Sequence, residues 1–128
     1  MASVVRGLKI ILIDDSEDIV SMMATLLGKL GANVTAAQSS QEALKILEQL
    51  IPDVIVSDLE MPGEDGIEFI HKVRIQPKLR HVPAIALTAH AREEDAERAL
   101  ESGYQLHLAK PVHTSELVNA IKRVMQPQ

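Results

Sequence analysis

Cysteine is absent from the 128 residues. That excludes a disulfide framework and a thiolate metal site, and it suits a reducing compartment. Aromatic side chains are almost as scarce. Phe69 and Tyr104 are the two present, too few for a surface on which nucleic-acid bases stack. Positive charge is in deficit, 13 Lys and Arg against 18 Asp and Glu for a net charge of -5. Nucleic-acid binding is driven by neutralising phosphates with cations, so nucleic acid is excluded as the main partner. No apolar run approaches the roughly 20 residues of a membrane-spanning helix. The early "LKIILIDDSED" meets two acids too soon for a secretory signal. These absences leave a cytoplasmic globular chain with no membrane contact and no direct nucleic-acid contact.

What is present fits one domain. The hydrophobic fraction is 46%, and a chain of this size buries about two thirds of its unfolded surface, enough to fold without metals or cross-links. Short apolar runs alternate with longer helical ones throughout. "LKIILI" (Leu8–Ile13) is β-branched and nearly continuous, as a strand covered on both faces should be. Ser16 can cap a helix with Ile19, Val20, Met23, Leu26, Leu27 and Leu30 on one stripe and Gly31 as its stop. "ANVTAA" is a weaker strand, and Ser39 with Glu42 reads as a capping box for a helix holding Ala43, Leu44, Leu47 and Leu50.

"DVIVS" (Asp53–Ser57) is a third strand, followed by Asp65 and Glu68 at capping-box spacing before Ile67, Ile70 and Val73. "VPAIALT" (Val82–Thr88) is a fourth, with Pro83 confined to its start. A helix from about Arg92 to Ser102 is closed by Gly103, "QLHLA" (Gln105–Ala109) is the last strand, and Thr114 opens a final helix. Strand–helix units in sequence predict right-handed crossovers and a parallel α/β sheet with helices on both faces. Ligands in such sheets bind outside the carboxyl ends of the strands.

Those ends carry chemistry. The first strand runs into Asp14 and Asp15, the third into Asp58, the fourth into Thr88 and the fifth into Lys110. Each alone has an ordinary explanation: caps, a turn, a surface lysine. Together they do not. Three ionised carboxylates brought within several ångströms repel, at a cost of about 4 kcal/mol for each close pair at an effective dielectric of about 20. Keeping them ionised calls for a cation, and a hard divalent ion with oxygen ligands fits. Lys110 as a point charge and Thr88 as a hydroxyl donor complete a phosphoryl-transfer site with a carboxylate nucleophile. Asp58, alone on its strand before the Met61-Pro62-Gly63 turn, is the better nucleophile, and the acidic pair is better suited to the metal.

Four segments, "LIDDSED", "SDLEMPGEDG", "ALTAHA" and "HLAKPV", in this order and at these intervals, resemble the response regulator receiver domain of two-component and phosphorelay signalling. The resemblance runs from about Leu8 to Val124, so a single receiver domain is expected over 1–128 with its core at about 8–125. It implies a flavodoxin-like, doubly wound three-layer sandwich with strand order 2-1-3-4-5. It also implies that Asp58 accepts a phosphoryl group from a histidine kinase or a histidine phosphotransfer protein. Mg2+, or Mn2+ in its place, would be held by Asp14, Asp15, Asp58 and the backbone carbonyl of Glu60. Thr88 and Lys110 would bind phosphoryl oxygens, with a cis bond between Lys110 and Pro111.

The implied output face is the last strand with its flanking helices, around Arg92–Ser102, Gln105–Leu108 and Ser115–Met125. It would meet an unidentified downstream protein or a second copy in a phosphorylation-dependent dimer. The dense charge of "EEDAERALES" there is most simply a solvated helix surface. Glu60 and His90, each two positions past a site residue, resemble the family positions that flank the hydrolytic water. The chain is thus expected to be a phosphoacceptor switch with its own phosphorylation and dephosphorylation chemistry rather than an enzyme acting on other substrates.

One position departs from the family pattern. Three residues before the lysine, where the family usually has Tyr or Phe as a switch partner of the threonine, stands His107. Its alternative reading is a strand histidine exposed on the rim. His71, His81, His90 and His113 read as surface residues. Two rivals remain. An aspartyl-nucleophile phosphatase of the haloacid dehalogenase type would need a second Asp where Glu60 stands, and a pseudo-receiver would bind partners without phosphorylation. A stand-alone regulator and the receiver module of a hybrid histidine kinase both fit the sequence.

Overall fold

The computed structural model describes residues 4–61, 65–89 and 93–126, without the side chains of Glu93 and Asp95. Strands and helices alternate: β1 (Lys9–Ile13), α1 (Glu17–Lys29), β2 (Asn33–Ala37), α2 (Ser40–Gln49), β3 (Val54–Asp58), α3 (Gly66–Arg74), β4 (Ala84–Thr88), α4 (Glu93–Ser102), β5 (Leu106–Ala109) and α5 (Thr114–Met125). The strands pair in parallel in the order β2-β1-β3-β4-β5, as the resemblance implied. Among the described residues no helix is long and apolar enough to cross a membrane.

Local chemistry sets the boundaries. Ser16 accepts the Ile19 amide (3.3 Å), and Asp65 accepts those of Ile67 (3.0 Å) and Glu68 (2.9 Å), satisfying donors that a helix start leaves free. Ser39 likewise accepts from Glu42 (3.1 Å), but the Glu42 carboxylate reaches past the cap to the Gln38 amide (3.3 Å), so the expected capping box is only half formed. β4 begins at Ala84 rather than Val82. Pro83 has no N–H for a ladder, although its carbonyl still accepts from Ile55 (2.9 Å). The expected start of the fourth helix, Arg92, lies outside the described residues.

Strand alternation sorts the core into two layers. Ile11, Ile13, Ile55, Ala84 and Ala86 pack with Ala43, Leu47, Phe69, Ile70, Val73 and Ala99, on the side of α2, α3 and α4. Ile10, Leu12, Val54, Val56, Ile85 and Leu87 pack with Met23, Leu27, Leu117, Ala120 and Ile121, on the side of α1 and α5. The same alternation assigns Asp58 to the α1–α5 side. Ser57, Thr88 and His107 fall on the other side, Ser57 and His107 both being in register with Ala86.

Two contacts hold the α3 region against its neighbours. Gly66 opens α3 so close to the end of β3 that a Cβ there would meet the Asp58 carbonyl oxygen at 2.6 Å and the Leu59 Cα at 2.8 Å. Glycine is the side chain that fits. At the opposite end, the Arg74 guanidinium donates to the carbonyls of Leu79 (3.1 Å), Arg80 (3.1 Å), Val82 (2.6 Å) and Gly103 (3.0 and 2.8 Å). It also reaches the Gln105 side-chain oxygen (3.3 Å), which accepts the Ala84 amide (2.6 Å). One side chain thereby links the α3–β4 and α4–β5 connections.

Candidate functional site

Asp58 is the last residue of β3 and is buried, as is Asp14 just past β1. Neighbouring strands fix both. The Asp14 amide donates to Ala37 (3.1 Å), and the Leu59 amide to Leu87 (2.9 Å). Asp14 Oδ1 accepts the Ser16 amide (2.9 Å) and Asp58 Oδ1 the Glu60 amide (3.1 Å). β5 supplies the cation: the Lys110 amide donates to Thr88 (2.8 Å), and the Lys110-Pro111 bond is cis. The Lys110 ammonium sits 2.9 Å from Asp14 Oδ2 and 2.9 Å from Asp58 Oδ2. Asp15 is exposed beside them, and carboxylate oxygens of Asp14, Asp15 and Asp58 lie within 4.8 Å of one another.

The electrostatics follow. Burial pushes the Asp58 carboxyl up to about 6; Lys110 opposes this by hydrogen bond and charge, and Asp14 adds to it. Burial pulls the Lys110 ammonium down, but bonds and charge from Asp14 and Asp58 more than offset that and raise it. The lysine therefore already supplies the positive charge that the sequence assigned to a metal. Three carboxylates around one ammonium still leave an excess of negative charge, and every exchangeable ligand is a hard oxygen. That donor set fits a small divalent cation such as magnesium.

Asp14, Asp15, Asp58 and Lys110 are thus brought together as expected, and Thr88 stands at the adjoining end of β4. Its bonding was not foreseen. The Thr88 hydroxyl donates to Glu60 Oε1 (2.5 Å), and the Ala89 amide donates to Glu60 Oε2 (3.4 Å). Burial would raise the Glu60 carboxyl, but the bonds from the Thr88 hydroxyl and the Ala89 amide help to hold it below its ordinary value. The signal in the sequence was only that an acid stands two residues past Asp58.

His107 is half-buried in β5, and its Nε2 is buried without a hydrogen-bond partner, so the exposed-rim reading is corrected. His71, His81 and His113 are exposed, as read from sequence, and His113 caps α5. His90, Pro62 and Gly63 lie outside the described residues. Sequence reasoning also missed Tyr104. Its buried hydroxyl donates to the Gly66 carbonyl (2.7 Å), tying the chain two residues past α4 to the start of α3. Burial pushes the pKa of the Tyr104 hydroxyl up, so ionisation is suppressed, with hydrogen bonding to Ser57 acting against that. Beside Lys110, a cavity of about 250 Å³ is lined by Ile19, Met22, Met23, Leu87, Lys110, Pro111 and Val112.

Comparison with known proteins agrees with this geometry. The family model for the response regulator receiver domain matches residues 10–122. An uncharacterized 14.6 kDa protein of Leptolyngbya boryana is 45% identical over 114 residues, covering 89% of this chain and 87% of the relative. Hybrid signal transduction histidine kinase D of Dictyostelium discoideum is 38% identical over 128 residues; 94% of this chain is covered, but the chain spans only 8% of that kinase. Among solved structures, the receiver domain of a sensor histidine kinase from Pseudomonas aeruginosa PAO1 superimposes with a TM-score of 0.85 at 33% identity, covering 93% of this chain and 98% of that one. That domain has a magnesium ion coordinated in its active-site cleft.

Proposed function

The chain belongs to the response regulator receiver domain family, and from that premise we propose that it is a phosphorylation switch whose acceptor is Asp58. The observation that carries the reading is the buried Asp58 carboxylate at a strand end, 2.9 Å from an ammonium and grouped with two more acids. In the proposed reaction a carboxylate oxygen of Asp58 attacks the phosphorus of a phosphohistidine on a kinase or phosphotransfer protein. The P–N bond breaks as the P–O bond forms, the imidazole leaves, and an acyl phosphate remains. Lys110 offsets negative charge growing on the phosphoryl oxygens. With a pKa of about 6, Asp58 is mostly ionised and competent as a nucleophile at neutral pH.

Asp14, Asp15, Asp58 and the carbonyl of Glu60 would hold magnesium, which supplies charge neutralisation to the transferred group when bound. Adding millimolar Mg2+ at pH 8 is then expected to raise the melting temperature beyond a sodium chloride control of equal ionic strength. A hundredfold excess over Kd corresponds to about 3 kcal/mol. Asp15→Asn should lose most of the gain, and equal gains from the two salts overturn the metal site.

The phosphoryl group adds about two negative charges at pH 7. We place its readout on α4, β5 and α5, with His107 and Thr88 as the moving side chains, toward a downstream protein or a second copy. Incubation with acetyl phosphate and Mg2+ tests the acceptor. A mass gain of one phosphoryl group that Asp58→Asn abolishes is the expected result. No gain in the unaltered protein overturns the reading and leaves a pseudo-receiver that binds partners unmodified.

A further inference from the structure

Where β4 ends, a hydroxyl and an amide both direct their hydrogens at one carboxylate. Thr88 Oγ1 donates to Glu60 Oε1 at 2.5 Å and the Ala89 amide donates to Glu60 Oε2 at 3.4 Å. Glu60 is held in place from its own backbone, because its amide donates to Asp58 Oδ1 at 3.1 Å. The acid that occupies the β4 donors is therefore bonded directly to the acceptor. Glu60 is exposed, so no packing requirement of the core accounts for this conformation.

A hydroxyl has a single hydrogen to donate. While Thr88 gives it to Glu60, none is available for an oxygen carried by Asp58. A phosphoryl group is also an anion with several acceptor oxygens, and it would arrive within reach of the same carboxylate. Two anions compete for the same two donors, and their charges repel each other.

We propose that Glu60 is a built-in stand-in for the phosphoryl group, a positioning residue that holds Thr88 and Ala89 in the resting chain and must be displaced when Asp58 is phosphorylated. The inference rests on the acceptor reading above and deepens it. The Thr88 bond formed in the phosphorylated state is gained only by exchange for the bond to Glu60. Residue 60 thereby sets the balance between the resting and switched states of the β4 end.

The test is a titration with beryllofluoride, a phosphoryl mimic that adds to a carboxylate, in Mg2+, followed by amide NMR. It uses Glu60→Ala and Glu60→Gln, each made with Thr88 and with Thr88→Ala. With Thr88 present, Glu60→Ala should tighten half-saturation about tenfold, the size of one hydrogen bond to a charged group. Glu60→Gln keeps an acceptor for the hydroxyl and should tighten it much less. In the Thr88→Ala background most of the gain should vanish. Before any mimic is added, the Ala89 amide should shift and exchange faster in Glu60→Ala. Equal gains for Ala and Gln that persist without the Thr88 hydroxyl mean simple charge repulsion and overturn the proposal, as does no gain. If the unaltered protein itself binds no beryllofluoride at Asp58, the acceptor reading falls and this inference with it.

Discussion

Asp58→Asn is expected to be more stable than the unaltered protein at pH 8 in the absence of divalent metal. The folded chain raises the Asp58 carboxyl from 3.8 to about 6, burial being the largest cause. The native state therefore binds this proton more tightly than the unfolded state does. Stability falls as pH rises through the window from 3.8 to about 6, and the whole cost, up to about 3 kcal/mol, is present above it. Asn carries no charge to desolvate and removes the repulsion from Asp14, while the Lys110–Asp14 pair at 2.9 Å remains.

The net shift already includes the favourable bond and charge of Lys110; the Asn amide still has a cost of burial, so about 2 kcal/mol is expected. That is a rise in melting temperature of about 5–10 °C for a domain of this size. The difference should shrink toward zero as the pH falls below 3.8, where Asp58 becomes protonated in both states. Thermal melts across that range provide the check. A less stable Asn variant at pH 8, or a difference indifferent to pH, contradicts the account. Magnesium should narrow the difference, because it favours the ionised carboxylate. A buried carboxylate left without a second cation lowers the stability of the fold around it.

Arg74→Met is expected to cost the most stability among exposed or half-buried positions. The guanidinium serves four backbone carbonyls and the Gln105 side chain. Burial lowers its pKa, a sign that the charge is partly removed from water. A bond to a charged group contributes about 1.5–3 kcal/mol, and the contributions are not additive when one side chain makes them all. A loss of about 3 kcal/mol follows, or about 10 °C or more in melting temperature. Arg74→Lys should recover little, since a point ammonium cannot present the five donors of a planar fork.

The damage should be local in character. Hydrogen exchange ought to quicken first at Ala84 and Gln105, where the α3–β4 and α4–β5 connections meet. Asp58 phosphorylation by acetyl phosphate should survive in the fraction that stays folded, because the acceptor lies at the other end of the sheet. A melting temperature within about 2 °C of the unaltered protein would show that water replaces the guanidinium at no cost, and the clamp would then be incidental.

Much of this molecule could be read along the chain. Apolar periodicity located every strand and helix to within a few residues, and the alternation within strands determined which side chains face which helical layer. Residue chemistry at the strand ends, Asp14, Asp15, Asp58, Thr88 and Lys110, marked the candidate site because parallel topology gathers those ends on one edge. These are local properties, carried by the order of residues and the period of the backbone.

The partners within the site were decided only by the tertiary structure. Lys110 bridges Asp14 and Asp58 across 52 residues between lysine and acceptor, so the lysine carries part of the task assigned to a metal. Thr88 is taken by Glu60 across 28 residues, and Tyr104 reaches Gly66 across 38. Which acceptor a donor finds, and how far burial moves a carboxyl from its ordinary pKa, depend on distances of an ångström between distant segments. Sequence spacing states what can meet; packing settles which hydrogen goes to which oxygen.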